Sequence, residues 1–321
     1  MNIRHMDILK EARPNAKEST LKQYIAHLNK LKKSLPQEYE KDGWGFLTDI
    51  DKIKNAVKDN VYTSQRNTFN SVVILLMALN HDKRYDETIK TYTDMRDALN
   101  QQYVKEKSEG KMSEKQETNF TTPEEVMKML SEMDKIIKTE KIKSKTDISN
   151  SDRELLTTFT LFHLLLKCPT RNDMAGMILT TPNEFKKIHD DIRHNTNYLI
   201  KRKDGFQIEL NEYKTDKTYG RVLIPIPKEV VKVLRMFIKT TNKRTGDVLF
   251  TSSINKPLSR NGISQLLLKT SKKYMGKAVS TTMMRKCVAS DKFSEKNKEQ
   301  EELAKICCHS VEVQNQVYVK K

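Results

Sequence analysis

At 321 residues, with 59 Lys and Arg against 42 Asp and Glu, the chain carries a formal net charge of +17 and exceeds the usual size of one compact domain. A balance that basic points to a polyanionic partner, nucleic acid ahead of an acidic membrane surface, because neutralising phosphates releases counterions. Nine glycines and eight prolines disfavour a turn-rich all-β fold, and no apolar run is long enough to span a bilayer.

The opening, "MNIRHMDILKEARPNAKEST", lacks the apolar core of a signal peptide, so an intracellular protein is expected, located wherever its target lies. "STLKQYIAHLNKLKKSL" sets Leu21, Tyr24, Ile25, Leu28 and Leu31 at helical spacing, with Ser19 or Thr20 as N-cap. A shorter helix is expected over "FLTDIDKIKNAV". "TSQRNTFNSVVILLMALNHD" begins with a second capping signal and is apolar enough for the centre of a bundle, and "DETIKTYTDMRDALNQQYVKEK" is a more polar partner. The unpatterned "KSEGKMSEKQETNFTTPEE" then marks a domain boundary.

Thr122 and Pro123 open a helix at "PEEVMKMLSEMDKII". The next, "DRELLTTFTLFHLLLKC", is mostly apolar, and His163 within it reads as a core histidine rather than a ligand. Three strands follow, "NYLIKR", "FQIELNEY" and "RVLIPIP", separated by the turns "KDG" and "KTDKTYG": an antiparallel meander. Helices return at "PKEVVKVLRMFIKT", "SRNGISQLLLKTSKKYMGK", "STTMMRKCVASDKF" and "EQEELAKICC". The fold class expected is therefore mainly α with a small three-stranded antiparallel sheet. The domains are a helical bundle over 1–108, a linker over 109–121 and a mixed unit over 122–321.

Cys168, Cys287, Cys307 and Cys308 form no CxxC pair, so free thiols in a reducing compartment are expected and no metal site. Neither a P-loop nor an acidic metal cluster occurs, so no cofactor is expected. The informative side chains are cations in unusual places. Arg171 sits at the break between two apolar stretches in "CPTRNDMAGMIL"; Arg285 lies inside the otherwise apolar "STTMMRKCVAS"; Lys214 lies in the turn "NEYKTDKTYG". His309 follows the last helix, and Tyr318 stands nine residues beyond it in "CCHSVEVQNQVYVKK". Singly, each has a plain alternative: a helix-break arginine pairs with a nearby acid such as Asp173, a turn lysine is solvated, and a late tyrosine packs.

Together and in this order, the five residues resemble the active site of the tyrosine recombinase (phage-integrase-like) family, which runs Arg, Lys, His or Lys, Arg, His or Trp, Tyr. "PTRNDMAGMIL" is similar to the first-arginine box, "YKTDKTYGRVLIPIP" to the hairpin that presents the lysine, "STTMMRKCVAS" to the second-arginine box and "AKICCHSVEVQNQVYVKK" to the LGHSS…Y segment. The resemblance implies a helical core-binding bundle joined to a catalytic domain, double-stranded DNA as partner and a homotetramer on paired DNA sites. It also implies strand breakage and rejoining without metal or nucleotide. Tyr318 would be the nucleophile, Arg171, Arg285 and His309 would bind the phosphate, and Lys214 would be the acid for the leaving oxygen. Relaxation of DNA in the manner of a type IB topoisomerase and non-catalytic DNA binding are the alternatives. Lysine and asparagine richness points to an AT-rich genome, that of a virus or mobile element.

Three positions depart from the family pattern. Thr282 stands where a histidine or lysine precedes the second arginine, and Met174 stands where an acid follows the first, with Asp173 one place early. Only Val319, Lys320 and Lys321 follow the tyrosine, where many members continue into a helix that docks on a neighbouring subunit.

Overall fold

The computed structural model describes residues 3–36, 43–110, 112–306 and 311. The chain divides into two compact units, Met1–Lys111 and Met112–Lys321, each with its own apolar core.

The first unit holds α1 (Ile3–Ala12), α2 (Glu18–Lys33), α3 (Ile50–Val57), α4 (Tyr62–Leu79) and α5 (Asp86–Ser108); α1, α2 and α5 pack around α4, and α3 packs against α2. Phe69, Val72, Val73, Ile74, Leu75 and Leu76 of α4 are all buried, as its composition predicts for a central helix. Against it lie Leu21, Ile25, Leu28 and Leu31 of α2. The caps differ from expectation. α2 begins one turn early at Lys17, so Ser19 and Thr20 are helical, and Glu18 supports the first turn through an ion pair to Lys22 (2.5 Å). α4 begins at Val61 without a side-chain cap. The short α1 carries no strong pattern, yet it buries Leu9 completely. Tyr92 of α5 is also fully buried, and its hydroxyl donates to Leu47 O (2.9 Å).

The second unit opens with α6 (Glu114–Thr118) and α7 (Pro123–Thr139). Thr122 caps α7 and Glu125 reaches back to the Thr122 N–H, a reciprocal capping box. α8 (Asn150–Lys167) starts with the same device, Ser149 with Asp152. Beyond α8 come β1 (Ile178–Thr180), α9 (Pro182–Lys187), α10 (Asp190–His194), β2 (Tyr198–Lys201), β3 (Phe206–Leu210), α11 (Asp216–Tyr219) and β4 (Val222–Pro225). α12 (Lys228–Thr240), α13 (Arg260–Met275) and α14 (Thr281–Ile306) complete the unit.

The sheet is four-stranded and mixed, in the order β1-β2-β3-β4, rather than three-stranded and antiparallel. The meander β2-β3-β4 is as expected, but β1 adds a parallel strand, pairing Ile178 with Tyr198 and Thr180 with Ile200. Three residues are too few to show an alternating pattern, and a parallel pair needs a crossover, here α9 and α10, that no local signal announces. The turn "KTDKTYG" likewise holds the single helical turn α11. At the end of the chain, the two helices expected from "STTMMRKCVASDKF" and "EQEELAKICC" are one, α14, because "SEKNK" between them contains no glycine or proline to stop it. His163 is half-buried on α8 and packs edge-on against Phe159, with ring centroids 4.6 Å apart, which agrees with a packing role.

Candidate active site

Pro169 ends α8. The helix closes on Cys168, whose N–H donates to Leu164 O (2.6 Å), and the chain turns into a single 3-10 turn, Asn172–Met174, with Arg171 at its N-cap. Met174 is buried in the core and anchors this turn. A neutral side chain therefore occupies the position where the family pattern has an acid. The acid is Asp173, whose side chain is only 7% exposed and ion-pairs with Arg260 Nη2 (3.4 Å).

Arg260 belongs to the first turn of α13, capped by Ser259, and the same Nη2 reaches Glu212 Oε2 (3.0 Å). Asn172 fastens the turn to α13 by donating to Arg260 O (2.9 Å) and Ser264 Oγ (2.6 Å). Asn197 fastens it to the sheet. That buried amide donates to Asp173 O and Glu212 O (both 2.9 Å) and accepts from the Asn211 and Glu212 N–H groups (2.8 and 2.9 Å). One side chain thus satisfies four backbone groups and locks the Arg171 turn to Asn211 and Glu212, just past the end of β3 and shortly before Lys214.

Arg285 reaches the same place from α14. Ser280 opens that helix, accepting at Oγ from Met283 N–H (3.2 Å), and Arg285 lies one turn in. Its Nη2 donates to Thr282 Oγ1 (3.2 Å), while its Nε is buried with no partner among the described residues. Burial and then the charge of Arg171 make the Arg285 guanidinium less basic than usual, with Asp173 opposing them. Burial likewise raises the Asp173 carboxyl above the ordinary range, against the charges of Arg260, Arg171 and Arg285.

Two arginines far apart in sequence therefore share one electrostatic neighbourhood, balanced by one buried carboxylate. Such an array can receive a phosphate, because guanidinium forks match its oxygens and partial burial strengthens the attraction. Lys214 lies nearby in sequence but apart from this network. It is exposed in the turn between β3 and α11, a loop closed by Tyr213 Oη donating to Gly220 O (2.7 Å). His309 and Tyr318 lie outside the described residues, as do Cys307 and Cys308. The sequence reading passed over Arg260, Glu212 and Asn197. The one available signal for Arg260 was its place directly after a serine N-cap; Asn197 offered none.

In the first unit, Arg66 of α4 stacks on Tyr103 of α5 (4.3 Å to the ring centroid), with Lys107 on the same ring at 5.4 Å, a basic-aromatic face. Among the described residues, no group of three or more His, Cys, Asp or Glu could hold a metal ion, and no helix is long and apolar enough to cross a membrane.

No family model and no curated protein matches the chain. Among solved structures it is similar to XerA recombinase, at 14% identity over 97% of this chain and 91% of that one, with a TM-score of 0.34, too low to rest an argument on.

Proposed function

We propose that this protein cleaves and rejoins DNA strands as a site-specific recombinase of the tyrosine type. The observation that carries the reading is that the charges of Arg171 and Arg285 both act on the buried Asp173 and on each other, with the Arg285 Nε left unpartnered among the described residues. Two cations brought together at a cost in mutual repulsion make physical sense where an anion is bound. The family resemblance of the surrounding segments and the +17 charge point the same way.

In this reading both units, residues 1–108 and 122–321, grip duplex DNA, and its backbone phosphate is held by Arg171 and Arg285. The Tyr318 phenol gives its proton to solvent and its oxygen attacks phosphorus. The bond from phosphorus to the 5′ oxygen breaks, leaving a 3′-phosphotyrosyl link. Lys214 gives its proton to the departing 5′ oxygen. Arg171, Arg285 and His309 stabilise the charge that builds on the non-bridging oxygens. A 5′-hydroxyl from a partner strand then attacks the phosphotyrosine, releases Tyr318 and joins new strands. Because phosphoester energy is kept in the covalent link, the cycle needs neither nucleotide nor metal. Paired sites held by a homotetramer supply the partner strand, and a viral or mobile genome is the source of the DNA.

The hydrogen bond between Arg285 and Thr282 favours a second reading, a DNA-binding protein that does not cut. A threonine hydroxyl cannot serve as the base or acid that histidine or lysine would supply there. Nicked duplex DNA, incubated with the wild type and with Tyr318→Phe, separates the two. A covalent adduct that survives denaturation and vanishes in the variant establishes the recombinase chemistry. DNA binding by the wild type with no adduct sinks it and leaves the binding protein.

A further inference from the structure

A second cluster of cations lies at the other end of α8. With 18 residues, that helix is about 27 Å long. Arg153 sits in its first turn, well away from the Arg171 turn that follows its C-terminus. Arg153 and Thr251 both line two clefts, of about 760 and 500 Å³. The Arg153 side chain has neither ion pair nor hydrogen bond among the described residues, and its Nε is buried. Ser252, which lines the larger cleft, has a buried Oγ that is equally unpartnered.

Lys243 completes the group from the smaller cleft. It follows the C-terminus of α12, where Asn242 takes a left-handed conformation (φ 52°) that turns the chain back, and its Nζ donates to Thr251 Oγ1 (3.2 Å). Burial and the charge of Arg153 hold its ammonium below the ordinary lysine range, with Asp247 opposing. Of the acids here, Asp247 lines the smaller cleft and faces Lys243, and two others are held by lysines. Asp152 is bound to Lys145 (2.8 Å), Glu154 to Lys269 (2.6 Å), and Asp247 accepts from the Arg244 N–H (2.7 Å). Glu140 lines the larger cleft and Asp147 the smaller.

We propose that Arg153, Lys243, Thr251 and Ser252 form a binding site for a phosphate group, separate from the Arg171 and Arg285 cluster. Arg153 offers a guanidinium fork and Lys243 a point charge. Thr251 can accept from Lys243 while donating its own proton to the ligand, and Ser252 adds a second hydroxyl donor. Two half-buried cations with Asp247 as the opposing charge on Lys243 still repel each other and leave donors unmet; a bound phosphate relieves both. The larger cleft has room beside Tyr274, Leu258 and Leu266 for a base and sugar, so the phosphate can belong to a mononucleotide as well as to a DNA backbone.

The site is tested by calorimetric titration of the full chain carrying Arg171→Gln and Arg285→Gln, which removes phosphate binding at the other cluster. The probes are inorganic phosphate, a 5′-mononucleotide and a short duplex. Saturable binding of any probe that weakens about tenfold or more on adding Arg153→Gln or Lys243→Gln supports the site. The tightest probe identifies the source of the phosphate. Affinity unchanged by both substitutions, or no binding of any probe, overturns it. Melting in phosphate-free buffer provides an independent check. Arg153→Gln should melt at or above the parent's temperature, because it relieves repulsion, whereas a lower melting temperature would mark Arg153 as a structural residue and sink the proposal.

Discussion

The two ends of α8 hold similar charges in opposite ways. At the C-terminal end, Arg260 is paired with Asp173 and Glu212, and Arg171 and Arg285 share the field of the same buried carboxylate, while the Asn197 amide pins the backbone beneath them. At the N-terminal end, Arg153 and Lys243 face each other with Asp247 the opposing charge. In the first arrangement the backbone and Arg260 are tied down while the Arg285 Nε stays unpartnered among the described residues, so the geometry is set before a ligand arrives, as preorganised electrostatic stabilisation requires. The second is left with unmet donors and stands to gain from occupancy.

Three substitutions sharpen that contrast. Asn197→Ala should have the largest effect, about 2–4 kcal/mol of lost stability in urea unfolding, because it strands four backbone groups in a buried setting. A loss below about 1 kcal/mol would mean that the C-terminal end is not held by this amide.

Asp152→Asn probes the capping at the other end and should cost about 1–2 kcal/mol at neutral pH. Burial pushes the Asp152 carboxyl up, but the bonds from Lys145 and Ser149 outweigh it and hold the group below its usual range. Its stabilisation is therefore present above the unfolded value of about 3.9 and is lost as pH falls through the lower folded value. The difference between variant and wild type should shrink in acid. A gap independent of pH would assign the effect to packing.

The smallest effect belongs to His163, midway along α8. Burial lowers its pKa, with Asp134 opposing and Lys167 assisting. The neutral ring is the one the fold accepts, so its contribution is complete above about pH 6.5 and is lost as pH falls below it. His163→Gln should flatten the decline of melting temperature between neutral and mildly acidic pH, by less than about 1 kcal/mol. An unchanged slope would place that titration elsewhere.

Much of the fold was legible because the long helices carry their own evidence. The apolar run of α4, the Thr122-Pro123 start of α7 and the alternating strands β2, β3 and β4 are local patterns, and local patterns are what a sequence displays. Where the reading failed, the deciding partner was remote. β1 exists because β2 lies beside it, and α14 continues through a polar stretch that merely lacks a breaker. The N-caps of α2 and α4 were misplaced because capping residues are common within helices too.

The site divides along the same line. Arg171, Lys214 and Arg285 could be singled out in the sequence, since a cation at a helix break, in a hairpin turn or on an apolar helix is locally odd. The plain alternative, Arg171 paired with Asp173, is met only in part: the ion pair of Asp173 is with Arg260 on α13, while Arg171 acts on it through its charge. Composition by itself determined a basic, helix-rich chain suited to a polyanion, because charge and periodicity are properties of the chain alone. Tertiary structure alone decided which cations share a carboxylate, which stand unpaired and which amide ties them down. Those are relations between residues distant in sequence, set by how α8, the sheet, α13 and α14 pack.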